Sequence, residues 1–323
     1  MSTLRFDVAP TPLEYFATLV ADDAHFSQLE AAVAVAQDEE PALDVQGVLA
    51  EIDGLAAKLK QRIAADAAAL HRLRYLNRYF FHELGFAGNV NDYYDPSNSY
   101  LHRVLATRRG IPITLALIYI EIAQQIGLEA RGVSFPGHFL VKIKMPQGEV
   151  LIDPFNGRSL SRDDLEERIA PYRRRHGLPA DAELPLGLFL QSATGRAVLA
   201  RMLRNLKEIH RSAEDWSRLH AVMQRLVLLL PEDWDERRDR GLVRAELGDA
   251  EGALQHLTAY LEHCPGADDA RAIDERIGEL RADREQFVAD DLQQPLRPRQ
   301  DIAEVADAIQ QLPPGSCSLS ACQ

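Results

Sequence analysis

The sequence predicts an α+β fold followed by a helical repeat region, and three observations carry the prediction. A nearly unbroken apolar run, Ile113 to Ile126, lies between Pro112 and Gly127. Proline is tolerated at a first helical position, whose N–H is orphaned anyway, and glycine commonly closes a helix. Three short runs of β character follow, 131–135, 139–145 and 149–152, separated by Pro136-Gly137 and Gln147-Gly148. Runs joined by such short turns pair as an antiparallel sheet. Farther on, Pro231 and Pro265 stand 34 positions apart, each closing an amphipathic helical pattern, and a fixed period of that length marks stacked helical hairpins.

Ahead of the central helix the chain reads as packing helices over 12–20, 28–37, 45–64 and 67–84, the last stopped by Gly85. The third places Val48, Ile52, Leu55, Leu59 and Ile63 on one face, the stripe of a helix laid on a core. His71 and the pair His82-Glu83 stand alone on these helices, and the zinc-protease pattern would need a second histidine one turn on. Between Phe86 and Tyr100 the text becomes FAGNVNDYYDPSNSY. Two readings stay open there. One is a surface turn tied by the side chains of Asp95 and Asn98; the other is a loop lining a cleft at the mouth of the central helix, with Asn91, Tyr93, Tyr94, Asn98 and Thr114 around it.

Within the sheet, Val141, Ile143 and Met145 alternate with Lys142 and Lys144, so one face is buried. His138 opens the second strand and Asp153 ends the third, which lets a hairpin bring them together. Ser161 with Asp164 three positions on has the form of a capping box, so a charged helix carrying Arg162, Asp163, Glu166, Glu167 and Arg168 is expected to start there. The link LPADAELPLGLFL then divides the chain into a core with N-terminal helices over 1–180, a helical repeat domain over 181–290 and a flexible tail over 291–323. Leu219, Met223 and Leu226 face inward in one repeat, and Ala253, Leu257 and Tyr260 in the next. Gly241, Gly248 and Ala253 are the small residues expected where the helices of the second repeat approach. Two copies are few for a solenoid, so the helix over 267–287 or the core itself must cap the array. In the tail, 301–312 has the pattern of a short amphipathic helix.

Composition narrows the function classes. A length of 323 residues with 46% hydrophobic and 26% charged residues leaves ample material for a core. A net charge of −13 repels phosphate backbones, so nucleic acid is not an expected partner. No apolar stretch approaches the roughly 20 residues of a membrane span, and the start MSTLRFDVAP lacks the pattern of a secretory signal. Cys264, Cys317 and Cys322 lack paired spacing, which suits a reducing compartment, with the cytoplasm as the default. No cofactor or metal is expected: the last two cysteines fit no zinc knuckle, and His138 with Asp153 would supply only two ligands. The charge is uneven, however. Arg196, Arg201, Arg204, Lys207, Arg211, Arg218 and Arg225 crowd a stretch with few acids, and Arg204, Lys207 and Arg211 are the candidates for gripping an acidic partner.

A buried helix leading into strands that carry first a histidine and then an aspartate resembles the transglutaminase-like, papain-related fold. In that fold a cysteine at the helix start is the nucleophile, the histidine its base, and the aspartate the group that orients the histidine. The resemblance becomes more specific in four motifs, Asn91-Asp92-Tyr93-Tyr94-Asp95-Pro96, Asn98-Ser99-Tyr100-Leu101, Arg109 to Leu115 (RGIPITL) and Phe135 to Leu140 (FPGHFL). Together they are similar to the SirB-one family of bacterial proteins, which joins a transglutaminase-like core to tetratricopeptide repeats, and the match covers roughly 40–290. The resemblance implies that Pro112 stands at the position of the lost nucleophile, as it does in that family, and that His138 and Asp153 are a remnant dyad.

Two functions from different classes follow. The first is a non-catalytic scaffold or regulator that binds a protein or peptide, in its cleft and on its repeats. The second is a hydrolase or acyl-transfer enzyme in which Thr114 or Ser99 replaces the thiol, worked by His138 and Asp153. A hydroxyl is a far weaker nucleophile than a thiolate near neutral pH and would need a close base and an oxyanion site.

Overall fold

The computed structural model describes residues 10–23, 26–177 and 185–293. Its first part is helical: α1 (Pro12–Val20), α2 (Gln28–Ala34), α3 (Val45–Lys60) and α4 (Ala69–Asn77). Thr11 and Glu14 form a capping box at α1, and Asp44 caps α3, each satisfying N–H groups that a helix start leaves open. After α4 the helix widens into a π-turn over Arg78–Glu83, which buries Tyr79 and Phe80. Phe80 stacks on Phe86 and meets Tyr119 edge to face, so the turn is anchored in the core.

Helix α5 (Leu101–Thr107) leads to α6 (Pro112–Gln125), the central helix, which is buried along most of its length from Pro112 to Ala123. It begins and ends where Pro112 and Gly127 place it. The strands β3 (Ala130–Phe135), β4 (His138–Met145) and β5 (Gly148–Ile152) form an antiparallel sheet in that order, with Phe135 opposite His138 and Val141 opposite Ile152. One face, carrying Phe139, Val141, Ile143 and Ile152, joins the core around α6. The other, carrying Val133, Phe135, Leu140 and Leu151, packs on Leu165 and Ile169 of α7 (Arg162–Arg175) and Leu186 of α8 (Leu186–Phe189). Earlier in the chain β1 (Ala87–Gly88) and β2 (Arg109–Gly110) make a short parallel pair. The expected capping box of Ser161 and Asp164 starts α7.

Helices α9 (Gly195–Ser212), α10 (Trp216–Leu229), α11 (Trp234–Glu246), α12 (Ala250–His263) and α13 (Ala270–Gln293) complete the described chain. Asp215, Asp233 and Asp249 cap α10, α11 and α12 in turn. Gly241 is where α11 meets α12, since a Cβ there would lie 2.9 Å from the Leu257 side chain. Gly248 has a different role from the expected one: it adopts φ +76° in the turn and has nothing within 4 Å of the position of a Cβ.

Packing does not divide where the link suggests. Leu199, Met202, Leu203 and Leu206 of α9, with Val222, Met223 and Leu226 of α10, share one core with Phe16, Ile52 and the central helix. Helices α11 to α13 add a further core around Ala253, Leu257, Tyr260, Ile273 and Ile277, while Val243 of α11 belongs to the first. The repeats are therefore capped at one end by the globular core and at the other by α13. The amphipathic pattern at 301–312 and the cysteines Cys317 and Cys322 lie outside the described residues.

Candidate functional site

The β3–β4 hairpin turns at Pro136-Gly137 and sets His138 at the first position of β4, while β5 runs back beside it and delivers Asp153 just past its end. The two meet as the sequence suggested. His138 Nε2 lies 2.8 Å from Asp153 Oδ1. The same oxygen accepts the Phe155 N–H at 3.0 Å, and Oδ2 accepts Arg168 Nη2 at 2.7 Å and Asn156 Nδ2 at 3.2 Å. Asp153 is 1% exposed. Burial alone would push its carboxyl up, but the His138 bond and charge, the Phe155 N–H and the Arg168 guanidinium outweigh that and hold it below the usual carboxylate range.

Arg168 is a site residue that the sequence reading placed only on a charged helix. The signal was present: Leu165 and Ile169 are the buried positions of α7, so a residue three beyond Leu165 flanks that buried stripe. Phe155 was missed altogether. Its ring lies 6.5 Å from His138 and 6.1 Å from Tyr93, centre to centre, and it rests on Gly88, where a Cβ would stand 2.1 Å from the ring. Only a glycine lets the ring settle there, and the Gly88 N–H donates to the Phe155 carbonyl at 2.8 Å.

Two hollows lie along α9. The first, of about 670 Å³, is lined by His138, Arg168, Tyr172, Arg175, Phe189 and Arg201, among others. The second, of about 1070 Å³, is lined by Tyr93, Tyr94, Tyr100, His102, Ile111 and His210, among others. Of the expected cleft residues, then, the two tyrosines do line a cavity. Asn98 is buried behind the loop and holds its shape, donating to the carbonyls of Asp92 and Tyr93 and accepting from Asn89. The loop is thus a tied turn whose tyrosines line a cavity. Asn91 is exposed and lines neither hollow.

Pro112 is buried at the first position of α6. Thr114 is fully buried, and its hydroxyl donates within the protein, with Asn98 O at 2.7 Å and Ile111 O at 3.1 Å. Ser99 is equally buried, and its hydroxyl has no hydrogen-bond partner among the described residues. Neither hydroxyl lines a hollow, whereas His138 lines the first. Cys264 lies at the end of α12, against a different surface depression with Leu229 and Trp234.

The basic residues expected to hold a partner are engaged within the chain. Arg204 bridges Asp233 and Glu236, Lys207 bridges Glu236 and Asp239, each at 2.6–2.7 Å, and Arg211 pairs with Glu208. The acids come from α11, about thirty positions later in the chain, or from one turn away on α9. A reading of one helix at a time could not see the acids of α11.

With this geometry in view, the class of protein is defined by a transglutaminase-like core followed by a tetratricopeptide region. Residues 46–204 match the transglutaminase-like superfamily and residues 206–278 match the tetratricopeptide repeat. The chain belongs to the UPF0162 protein family. A UPF0162 protein of Xylella fastidiosa (strain Temecula1) is 35% identical over 264 residues, covering 81% of this chain and 93% of that protein. The UPF0162 protein YchA of Escherichia coli (strain K12) is 29% identical over 68% of this chain and 80% of its own, and one from Vibrio cholerae is 27% identical over 71% and 84%. No solved structure matches the chain.

Proposed function

We propose that this chain is a non-catalytic transglutaminase-like protein that binds an extended segment of another protein in the cleft along α9. The observation that carries the reading is Pro112: the His138–Asp153 pair is held together by hydrogen bonds, while the residue at the first position of α6, where the family resemblance implies the lost nucleophile, is a proline without a nucleophilic atom. The tetratricopeptide region supports it, since stacked helical hairpins form elongated binding surfaces, and so does the motif resemblance to the SirB-one family. Thr114 is poorly suited to the alternative, because its hydroxyl is buried and donates to backbone carbonyls. The family context, the cysteine usage and the acidic net charge favour a cytoplasmic protein partner over nucleic acid.

The test is exposure of the full chain to a panel of electrophilic acyl and peptide probes, with intact-mass analysis and adduct mapping. The expected result is no covalent adduct in the cleft, together with reversible peptide binding that Tyr93→Ala weakens. An adduct on Thr114, Ser99 or another cleft residue that depends on His138 would overturn the reading in favour of the enzyme.

A further inference from the structure

The first hollow has an unusual charge. Among the described residues its lining includes Arg168, Arg175 and Arg201 with His138 and His176, and no Asp or Glu. The chain as a whole carries 49 acidic against 36 basic residues, so a cavity whose described charged residues are all basic runs against its composition.

The three arginines differ in what remains to them. Arg168 is committed to Asp153. Arg201 is fixed by its Nη1, which donates to Ser134 Oγ at 2.7 Å and to the Phe135 carbonyl at 3.1 Å, and its guanidinium lies over the Phe139 ring. Among the described residues no carboxylate pairs with it. Arg204 and Lys207, one and two turns on along the same helix, are each held by two carboxylates. Burial lowers the Arg201 pKa, with nearby Tyr93 opposing it, yet a guanidinium stays charged near neutrality. Arg175 is exposed at the end of α7 and also lacks an ion-pair partner among the described residues. The walls between these charges are Tyr172, Phe189 and Pro171.

The hollow also has a direction. Arg201 lines the first cavity, and Asn205 and Ile209, one and two turns farther along α9, line the second beside Tyr93 and Tyr94. Eight residues of helix span about 12 Å, the reach of about four residues of extended chain.

We propose that this groove takes an extended, acidic segment of a partner protein, with Asp or Glu side chains seated against Arg201 and Arg175 and the following residues running along α9 toward Tyr93. The inference rests on the peptide-binding reading and adds the chemistry of the peptide. Acidic side chains suit the site better than a single chain terminus, because the uncompensated charge is spread over two guanidiniums on different helices. A guanidinium that is already oriented by Ser134 and Phe135 loses little freedom on pairing with a carboxylate.

The experiment is selection of randomised decapeptides on the full chain, in one library capped at both ends and one with free C-termini. Anisotropy titration of labelled selected peptides follows. Capped peptides enriched in Asp and Glu are expected. Their affinity should fall about tenfold with Arg201→Gln, the scale of a lost charge-assisted hydrogen bond, and severalfold with Arg175→Glu and at raised salt. Arg175 is exposed, so its variant keeps the test valid if Arg201→Gln perturbs folding. Retained peptides without acidic enrichment, sensitive to Tyr93→Ala but not to either arginine variant, would overturn this inference and leave peptide binding standing. Retention only of free C-termini would overturn the side-chain assignment. No retention from either library would remove the peptide-binding reading and this inference with it.

Discussion

Asp153 accepts hydrogen bonds from His138, Phe155, Asn156 and Arg168 while almost wholly buried. Its carboxyl is held below the usual range, so ionised Asp153 stabilises the fold. That stabilisation is complete above the unfolded carboxyl pKa of about 3.9 and is lost as pH falls through the lower folded value. Asp153→Asn is expected to cost about 2–3 kcal/mol near neutrality. In urea titrations at a series of pH values, its deficit relative to wild type should shrink below about pH 4; a deficit independent of pH would deny Asp153 its charged role. Thr114 supplies the second prediction at this scale. Thr114→Val keeps the shape but withdraws the donor to the Asn98 carbonyl, so a loss of about 1–2 kcal/mol is expected by urea unfolding. Unchanged peptide binding in that variant would agree with a structural hydroxyl.

The strand pair β1–β2 shows how an element too short to read can shape a site. A two-residue strand has no periodicity to detect, yet Gly88 in β1 is the seat of Phe155, which in turn lies between His138 and Tyr93. Gly88→Ala puts a methyl group inside van der Waals contact of a packed ring. The expected cost is about 1–3 kcal/mol, the usual range for overpacking, with a lower affinity for cleft peptides because Phe155 must move. Thermal unfolding and the anisotropy titration together check this. Normal stability with normal binding would show that the ring has room to spare. By contrast, α6 was legible, at its start to the residue: its apolar content is almost uninterrupted, and Pro112 and Gly127 punctuate it chemically.

Across the whole molecule, the helical region is joined to the N-terminal helices by apolar packing and by a buried ion pair. Arg225 on α10 is fully buried, lies over the Phe16 ring, and forks onto both oxygens of Asp38 at 2.6 Å. Asp38→Ala leaves that guanidinium buried and unpaired, and a loss of about 3–5 kcal/mol is expected in denaturant unfolding. Replacing both partners with apolar residues, as in Asp38→Ala with Arg225→Met, should recover most of it. If the single change costs no more than a surface substitution, the pair does not hold the two regions together. The shared core around α9 also explains why the cleft is built where it is. Arg201 reaches β3 from the same helix whose other face packs into the core.

By itself the sequence determined what is local and periodic: the central helix, the three strands, the capping box at Ser161, the 34-residue spacing and the meeting of His138 with Asp153 across a hairpin. These are legible because each depends on neighbours a few positions away, or on strands joined by a turn. Only the tertiary structure decided which charges are free. Arg204 and Lys207 look available in the sequence and are neutralised by α11, whereas Arg201 looks like one of the same row and is left without a carboxylate among the described residues. Charge pairing between helices depends on how they pack, and no pattern within a single helix encodes that.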